Sequence, residues 1–297
     1  MKFPIHYPEL PGAVRLQSGD SFFCIMPGGR DRVDPRNLAK IDTFFTHGVI
    51  LKNSRTSTAA LAEIGGDGEP VFLKRCNNKG LRFTLRYLFR PARVFRAAKA
   101  ADLLKKAGVR TPEVLLVGER RNGPILKAGY LVTATAPDIQ SADQLLRETS
   151  VPELFLESFL KQAAEMTVLL HRNRLEHGDL KLVNFYHTGR WTPQSRFGIW
   201  DLDSVRCHAS AVPRTRVERE LSRIVFSICL TSLFNHAFPE TLRSCKMLSG
   251  RLTDLYLSYL PEGLPRPDPA QVEIHAEKRL EYRKKHPYGK QTGDVTL

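Results

Sequence analysis

Between residues 48 and 74 the apolar positions come in short runs broken by polar turns, the pattern of strands. Gly48-Val49-Ile50-Leu51-Lys52 and Ala59-Ala60-Leu61-Ala62-Glu63-Ile64 are two such runs, parted by the polar residues 53–58. Gly65-Gly66-Asp67-Gly68 signals a hairpin, and Val71-Phe72-Leu73-Lys74 reads as the strand that follows. The period then lengthens. Val94, Ala97, Ala98, Ala101, Leu104 and Ala107 recur on one helical face, and Gly108 with Thr111-Pro112 stops the helix. Residues 114–117 and 129–135 read as strands around a turn at Asn122-Gly123-Pro124. Before all of these, residues 1–45 have mixed polarity and a Pro/Gly/Asp cluster at 27–35, which predicts an irregular N-terminal extension.

After Pro137 the helical period dominates. Leu156, Leu160, Ala163, Thr167 and Leu170 keep core spacing within a long helix over 152–175, and residues 216–234 and 241–260 read as further amphipathic helices. Between them, residues 197–202 form a short apolar run that ends in acid. The order predicts an α+β chain with three parts. They are an extension (1–45), a sheet-rich lobe with one major helix (46–137) and a helical lobe with a basic tail (138–297).

Composition narrows the partners. With 42% hydrophobic and 26% charged residues the 297-residue chain is ordinary for a folded protein, but its net charge of +14 is not. Such a charge attracts an anion: nucleic acid, a phospholipid surface or a phosphorylated substrate. Residues 74–110 hold twelve Lys or Arg against the single acid Asp102, and Arg283, Lys284, Lys285, His286 and Lys290 form a second cluster. The five cysteines include no C-x-x-C pair and read as free thiols of a reducing compartment. Residues 1–17 carry no signal-peptide pattern, and no apolar run of about 18 residues suggests a spanning helix. A cytoplasmic protein, peripheral to a membrane, is the expectation. The histidines show no metal-ligand spacing with Cys or carboxylate.

The chemistry is concentrated in His177-Gly178-Asp179-Leu180-Lys181-Leu182-Val183-Asn184, an H-x-D-L-x-x-x-N loop, and in Asp201-Leu202-Asp203, which begins seventeen residues after Asn184. Phosphoryl transfer needs positioning and charge neutralisation more than covalent chemistry. Asp179 suits the base that takes the proton of an attacking hydroxyl. Asn184 can offer an oxygen to magnesium, and Asp201 the carboxylate that a hard cation prefers. Asp203 is either a second ligand or the cap of the next turn. Lys181 can reach the transferred phosphate, and His177 braces the loop. Lys74 ends a strand after a Gly-rich hairpin, as the V-A-I-K lysine of kinases does, and is the expected contact to the α- and β-phosphates of ATP. The turn over the phosphates is then Asn53-Ser54-Arg55-Thr56-Ser57-Thr58, whose Ser54, Arg55 and Thr56 stand in for the usual glycines.

These motifs resemble the lipopolysaccharide core kinases, the kinase-like group that includes heptose and 3-deoxy-manno-octulosonic acid kinases. The resemblance spans roughly residues 51–233. It rests on Phe72-Leu73-Lys74-Arg75, on Leu104-(x)3-Gly108-Val109-Arg110-Thr111-Pro112, on the His177–Asn184 loop with Phe185, and on Ile199-Trp200-Asp201-Leu202-Asp203. It implies a bilobal protein-kinase-like fold, ATP and Mg2+, and an acceptor hydroxyl on a lipid-linked sugar of the lipopolysaccharide inner core. That acceptor is met at the cytoplasmic face of the inner membrane. Arginines every four residues among the aromatics of 81–90 suit an anionic membrane surface, and no motif supports nucleic acid. The chain also departs from protein kinases. Gly178 replaces the arginine of H-R-D, no A-P-E follows, D-L-D replaces D-F-G, and no acid lies between Glu69 and Asp102 to partner Lys74 from the usual place. A protein acceptor is thereby disfavoured. The rivals are a small-molecule kinase of the aminoglycoside or choline type and a non-catalytic pseudokinase.

Overall fold

The computed structural model describes residues 5–65, 68–78, 80–136 and 138–286. Gly66 and Asp67 of the expected hairpin, Pro137 at the expected boundary, and Lys290 of the basic tail lie outside them. Among the described residues the chain divides into two compact units, 5–103 with 112–136, and 104–111 with 138–286.

The first unit is built on a seven-stranded antiparallel sheet. Its strands are β1 (Val14–Ser18), β2 (Ser21–Ile25), β3 (Val49–Asn53), β4 (Ser57–Ala62), β5 (Val71–Asn77), β6 (Val114–Asn122) and β7 (Ile125–Ala134), in the order β1-β2-β6-β7-β5-β4-β3. The strand pattern read at 48–74 thus becomes one edge of the sheet. The N-terminal residues are a correction to the sequence reading. They are no extension, because β2 pairs with β6 from Ser21↔Arg120 to Ile25↔Leu116. Phe23, Ile25, Val33, Leu38, Ile41 and Phe45 also fill the core under the sheet, beside Val71, Leu73, Leu116 and Val132. The Pro/Gly cluster masked a strand pair and the 3-10 helix Pro35–Thr43, whose Leu38 and Ile41 point inward. Burying each such side chain contributes on the order of 1.5–3 kcal/mol. The short helix α1 (Phe44–His47) leads into β3.

On β5 the faces alternate, so Val71 and Leu73 enter the core while Lys74 shares the opposite face with Cys76. Cys76 accepts a hydrogen bond from Arg93 Nε at the start of α3 (Arg93–Lys106). Gly108, at φ +80°, takes the left-handed conformation that ends α3, and Val109 N–H bonds back to Leu104 O at 2.9 Å. Helix α2 (Leu81–Tyr87) is held at both ends. Asn78 Nδ2 donates to Leu126 O, and the buried Arg121, paired with Glu119, donates to Tyr87 O and Arg90 O.

The second unit is mostly helical: α4 (Ala142–Glu148), α5 (Pro152–Arg172), α6 (Arg214–Ser232), α7 (Cys245–Tyr259) and α8 (Pro269–Lys285). α4 starts on a Ser141/Gln144 capping box and α5 on Pro152 at its first turn. Around α5 the rings of Phe155, Phe159, Phe185 and Phe197 form the aromatic centre of the core. Three short strands, β8 (Ile139–Ser141), β10 (Phe185–Thr188) and β11 (Gly198–Ile199), form a small sheet, and β9 (Leu175–Glu176) pairs with β12 (Arg206–Cys207). The strand expected over 197–202 is only two residues long, because the chain turns sharply at Asp201. α8 was not read from the sequence, where its strongly charged composition passes for a tail. All five cysteines are free thiols, although Cys229 and Cys245 meet at 3.1 Å between α6 and α7.

Candidate active site

In the second unit the catalytic-type loop is suspended between α5 and β10. Its main chain is tied down on two sides. Gly178 N–H donates to Glu220 Oε1 at 2.5 Å, and Leu182 N–H donates to Ser227 Oγ at 3.0 Å, both on α6. Glu220 is fully buried and its other oxygen accepts from His171 Nε2 on α5 at 2.9 Å. Burial pushes this carboxyl up, but the bond and charge of His171, then His177 and Gly178 N–H, hold it below the usual glutamate value. On the opposite side the buried His177 donates from Nε2 to Trp200 O at 3.1 Å. Sequence reasoning had His177 as the brace of the loop, and this is the bond that does it. Gly178 adopts φ +84°, and a Cβ there would meet Ser204 O at 2.8 Å. The glycine that replaces the arginine of H-R-D is therefore demanded by the backbone.

This suspension fixes the polar side chains. Asn184 is buried and its amide nitrogen donates to Asp179 O at 2.7 Å, which leaves the amide oxygen as the group available to a cation. Asp179, about a third exposed, sets its Oδ2 3.0 Å from Lys181 Nζ. Asn184 O in turn accepts from Trp200 N–H, and Phe185 pairs with Ile199, so the end of β11 is stitched to the end of the loop. The next residue, Asp201, is exposed and left-handed at φ +59°, ψ +56°. An aspartate held there carries local strain, of a kind that gathers at functional sites. Asp201 precedes the 3-10 turn Leu202–Ser204, and Asp203 lies inside that turn, so the capping position belongs to Asp201. Asp179, Lys181, Asn184, Asp201 and Asp203 all stand in the second unit, where Asp179 contacts both Lys181 and Asn184.

The remaining expected residues stand in the first unit. Lys74 is half-buried on β5, between Ala59 of β4 and Leu131 of β7. Ser54, Arg55 and Thr56 form the turn from β3 to β4. There the Ser54 hydroxyl donates to Ser57 O at 2.9 Å and lies 3.3 Å from Thr56 Oγ1. These hydroxyls close the turn, a local use that the sequence left open beside phosphate contact. Missed by sequence reasoning were Glu220, Ser227 and His171, which position the loop. Their one signal was polar residues on the apolar stripes of α5 and α6.

The donor set suits magnesium. Asn184 and Asp201 could offer a neutral and a charged oxygen to an ion that completes its shell with phosphates and water. No group of three His, Cys, Asp or Glu side chains able to hold a metal occurs among the described residues.

The model of the lipopolysaccharide kinase (Kdo/WaaP) family matches residues 51–242, about two thirds of the chain. The chain belongs to that family. It is thereby a lipopolysaccharide kinase, a phosphotransferase whose chemistry implies ATP. Among solved structures, WaaP in complex with acyl carrier protein is similar, with a TM-score of 0.55 at 18% identity, covering 84% of this chain and 97% of that one. At that identity the likeness speaks for the fold, a kinase-like one. No curated protein matches the chain.

Proposed function

We propose that this lipopolysaccharide kinase moves the γ-phosphoryl group of ATP to a sugar hydroxyl of the inner core, at the cytoplasmic face of the inner membrane. The observation that carries the reading is the suspended loop, which holds Asp179 beside Lys181 and Asn184. Asp179 accepts the proton of the attacking hydroxyl as the new O–P bond forms and the bond to ADP breaks. Lys181 offsets charge on the transferred group, and Mg2+ when bound would add to that. Asn184 and Asp201, with Asp203 as the further candidate, would hold Mg2+, and Lys74 would contact the α- and β-phosphates. Ser54, Arg55 and Thr56 cover them.

The acceptor's lipid anchor fits a further feature. Leu81, Leu85 and Phe89 recur every four residues along and just beyond α2 and are 75%, 60% and 61% exposed. Arg82, Arg86 and Arg90, also exposed, follow each by one. An apolar stripe edged by arginines, on a helix anchored at both ends, suits the headgroup region of an anionic bilayer. No helix among the described residues is long and apolar enough to cross a membrane.

The test is transfer from γ-labelled ATP to purified core lipid. Asp179→Ala is expected to retain stabilisation by ATP and magnesium while turnover falls about 10²–10⁴-fold. Unchanged turnover would remove Asp179 from the mechanism.

A further inference from the structure

Glu220 and Ser227 leave α6 on the side of the catalytic loop, since their oxygens receive the Gly178 and Leu182 N–H groups. Arg223 lies three residues after the one and four before the other, so its side chain leaves the helix on that same face. Arg219 stands one turn earlier on this stripe. Helix α8 packs against α6 and α7 and buries Val272 and Ala276. Arg279 follows them by seven and three residues and so shares their inward side, where it is half-buried. Two helices thus bring three guanidiniums to the flank of the loop that carries Asp179.

Their electrostatics agree with this placement. Arg279 is held below the usual arginine value by burial first and then by Arg223, with Asp179 acting in the other direction and Arg219 adding to the depression. His275, one turn earlier on α8, is also lowered, by burial and then by Arg219, with Lys278 and Arg279 adding to it and Glu218 opposing. Arg223 Nη1 is buried without a hydrogen-bond partner. The acids of α6 are engaged elsewhere: Glu218 accepts from Arg214 Nε and Asp268 N–H, and Glu220 from His171 and Gly178. Crowding arginines this way is unfavourable by itself. It becomes favourable when an anion enters, because the planar guanidinium matches phosphate and carboxylate oxygens in pairs.

We propose that Arg219, Arg223 and Arg279 form a subsite for an anionic substituent of the acceptor, a phosphate or a sugar carboxylate, and so hold the acceptor hydroxyl at Asp179. The inference rests on the phosphoryl-transfer reading of Asp179 and adds the feature by which the acceptor is selected. A neutral sugar presents nothing to this cluster.

Arg219 is exposed and Arg279 half-buried, so Arg219→Gln and Arg279→Gln, singly and together, are the suitable variants, with Tm confirming that they fold. With deacylated inner-core oligosaccharide as acceptor, each is expected to raise the acceptor KM roughly tenfold and to leave the ATP KM in place. Two altered acceptors identify the group, one with carboxylates reduced to alcohols and one with phosphates removed. The alteration that weakens the wild type without further weakening the double variant marks the bound substituent. An unchanged acceptor KM in the double variant, a rise in the ATP KM instead, or indifference of the wild type to both alterations overturns the subsite. If the wild type does not phosphorylate the oligosaccharide at all, it is the kinase reading that fails. A titration with inorganic phosphate then decides the subsite separately. Thermal stabilisation of the wild type that is lost in the double variant upholds it, and equal stabilisation overturns it.

Discussion

Glu220 shows how much of the site depends on a residue that never meets substrate. It places one carboxylate oxygen on the loop backbone and the other on α5, inside the protein. Removing one partner of such a buried arrangement costs about 3–5 kcal/mol, so Glu220→Ala is expected to lower stability by that order and to lower kcat as the loop loses its tether. Its acid dependence has a definite sign. A carboxyl depressed in the folded state adds stability at pH values above the ordinary glutamate pKa of 4.5, and the gain is lost as pH falls through the lower folded value. Unfolding midpoints measured from pH 7 to pH 3 should therefore fall more steeply for the wild type than for Glu220→Gln. Parallel curves would contradict the buried ionised carboxylate. Gly178 makes a second case. Gly178→Ala forces a side chain onto a positive φ and against Ser204 O, at a cost of about 1–3 kcal/mol, and should lower kcat more than the KM for ATP. Asp179, Asn184 and Asp201 stand out in the sequence as candidates because phosphoryl transfer ties residue types to spacing. Their supports were not, since Glu220 and Ser227 lie more than forty residues further on, and only packing of α6 brings them to the loop.

At the scale of elements, α2 carries the clearest division of labour. Its polar anchors, Asn78 and Arg121, hold it to the sheet, while Leu81, Leu85 and Phe89 are left to the surroundings. Replacing Leu85 with Asp removes apolar area worth about 1.5–3 kcal/mol when buried and adds charge of the wrong sign for an anionic bilayer. Co-sedimentation with anionic vesicles should accordingly drop about tenfold or more for Leu85→Asp, with Tm little changed. Equal sedimentation of variant and wild type would show that α2 is not the contact. The short apolar runs of 48–74 and the helical period of 94–107 and 152–175 exposed β3 and, because each buries apolar positions against a core, β4, β5, α3 and α5. β1 and β2 escaped notice since their turns are crowded with Pro and Gly, and α8 because its buried residues, Val272 and Ala276, are too few to stand out among charges.

For the whole molecule, the basic excess behind the charge of +14 is concentrated in three places among the described residues. One part lines α2, one gathers at the α6–α8 seam, and one ends α8 as Arg283, Lys284 and Lys285. Membrane attraction by exposed arginines is screened over about 8 Å at physiological ionic strength, so vesicle binding should weaken as salt rises from about 0.05 to 0.5 M. The apolar stripe of α2 should keep it from vanishing. The order of patterns predicts an α+β chain and the family resemblance a kinase-like fold, and the molecule has an antiparallel sheet in the first unit and a mostly helical second unit, with residues 14–25 supplying two strands of the sheet. The proposed activity is phosphorylation of the inner core through Asp179. Mass spectrometry of core oligosaccharide from a strain lacking the chain tests it most directly, with wild type and Asp179→Ala returned separately. Core lacking one phosphate is expected in the deletion strain, restored by the wild type and not by the variant. A core unchanged by the deletion, or restored equally by Asp179→Ala, would contradict it.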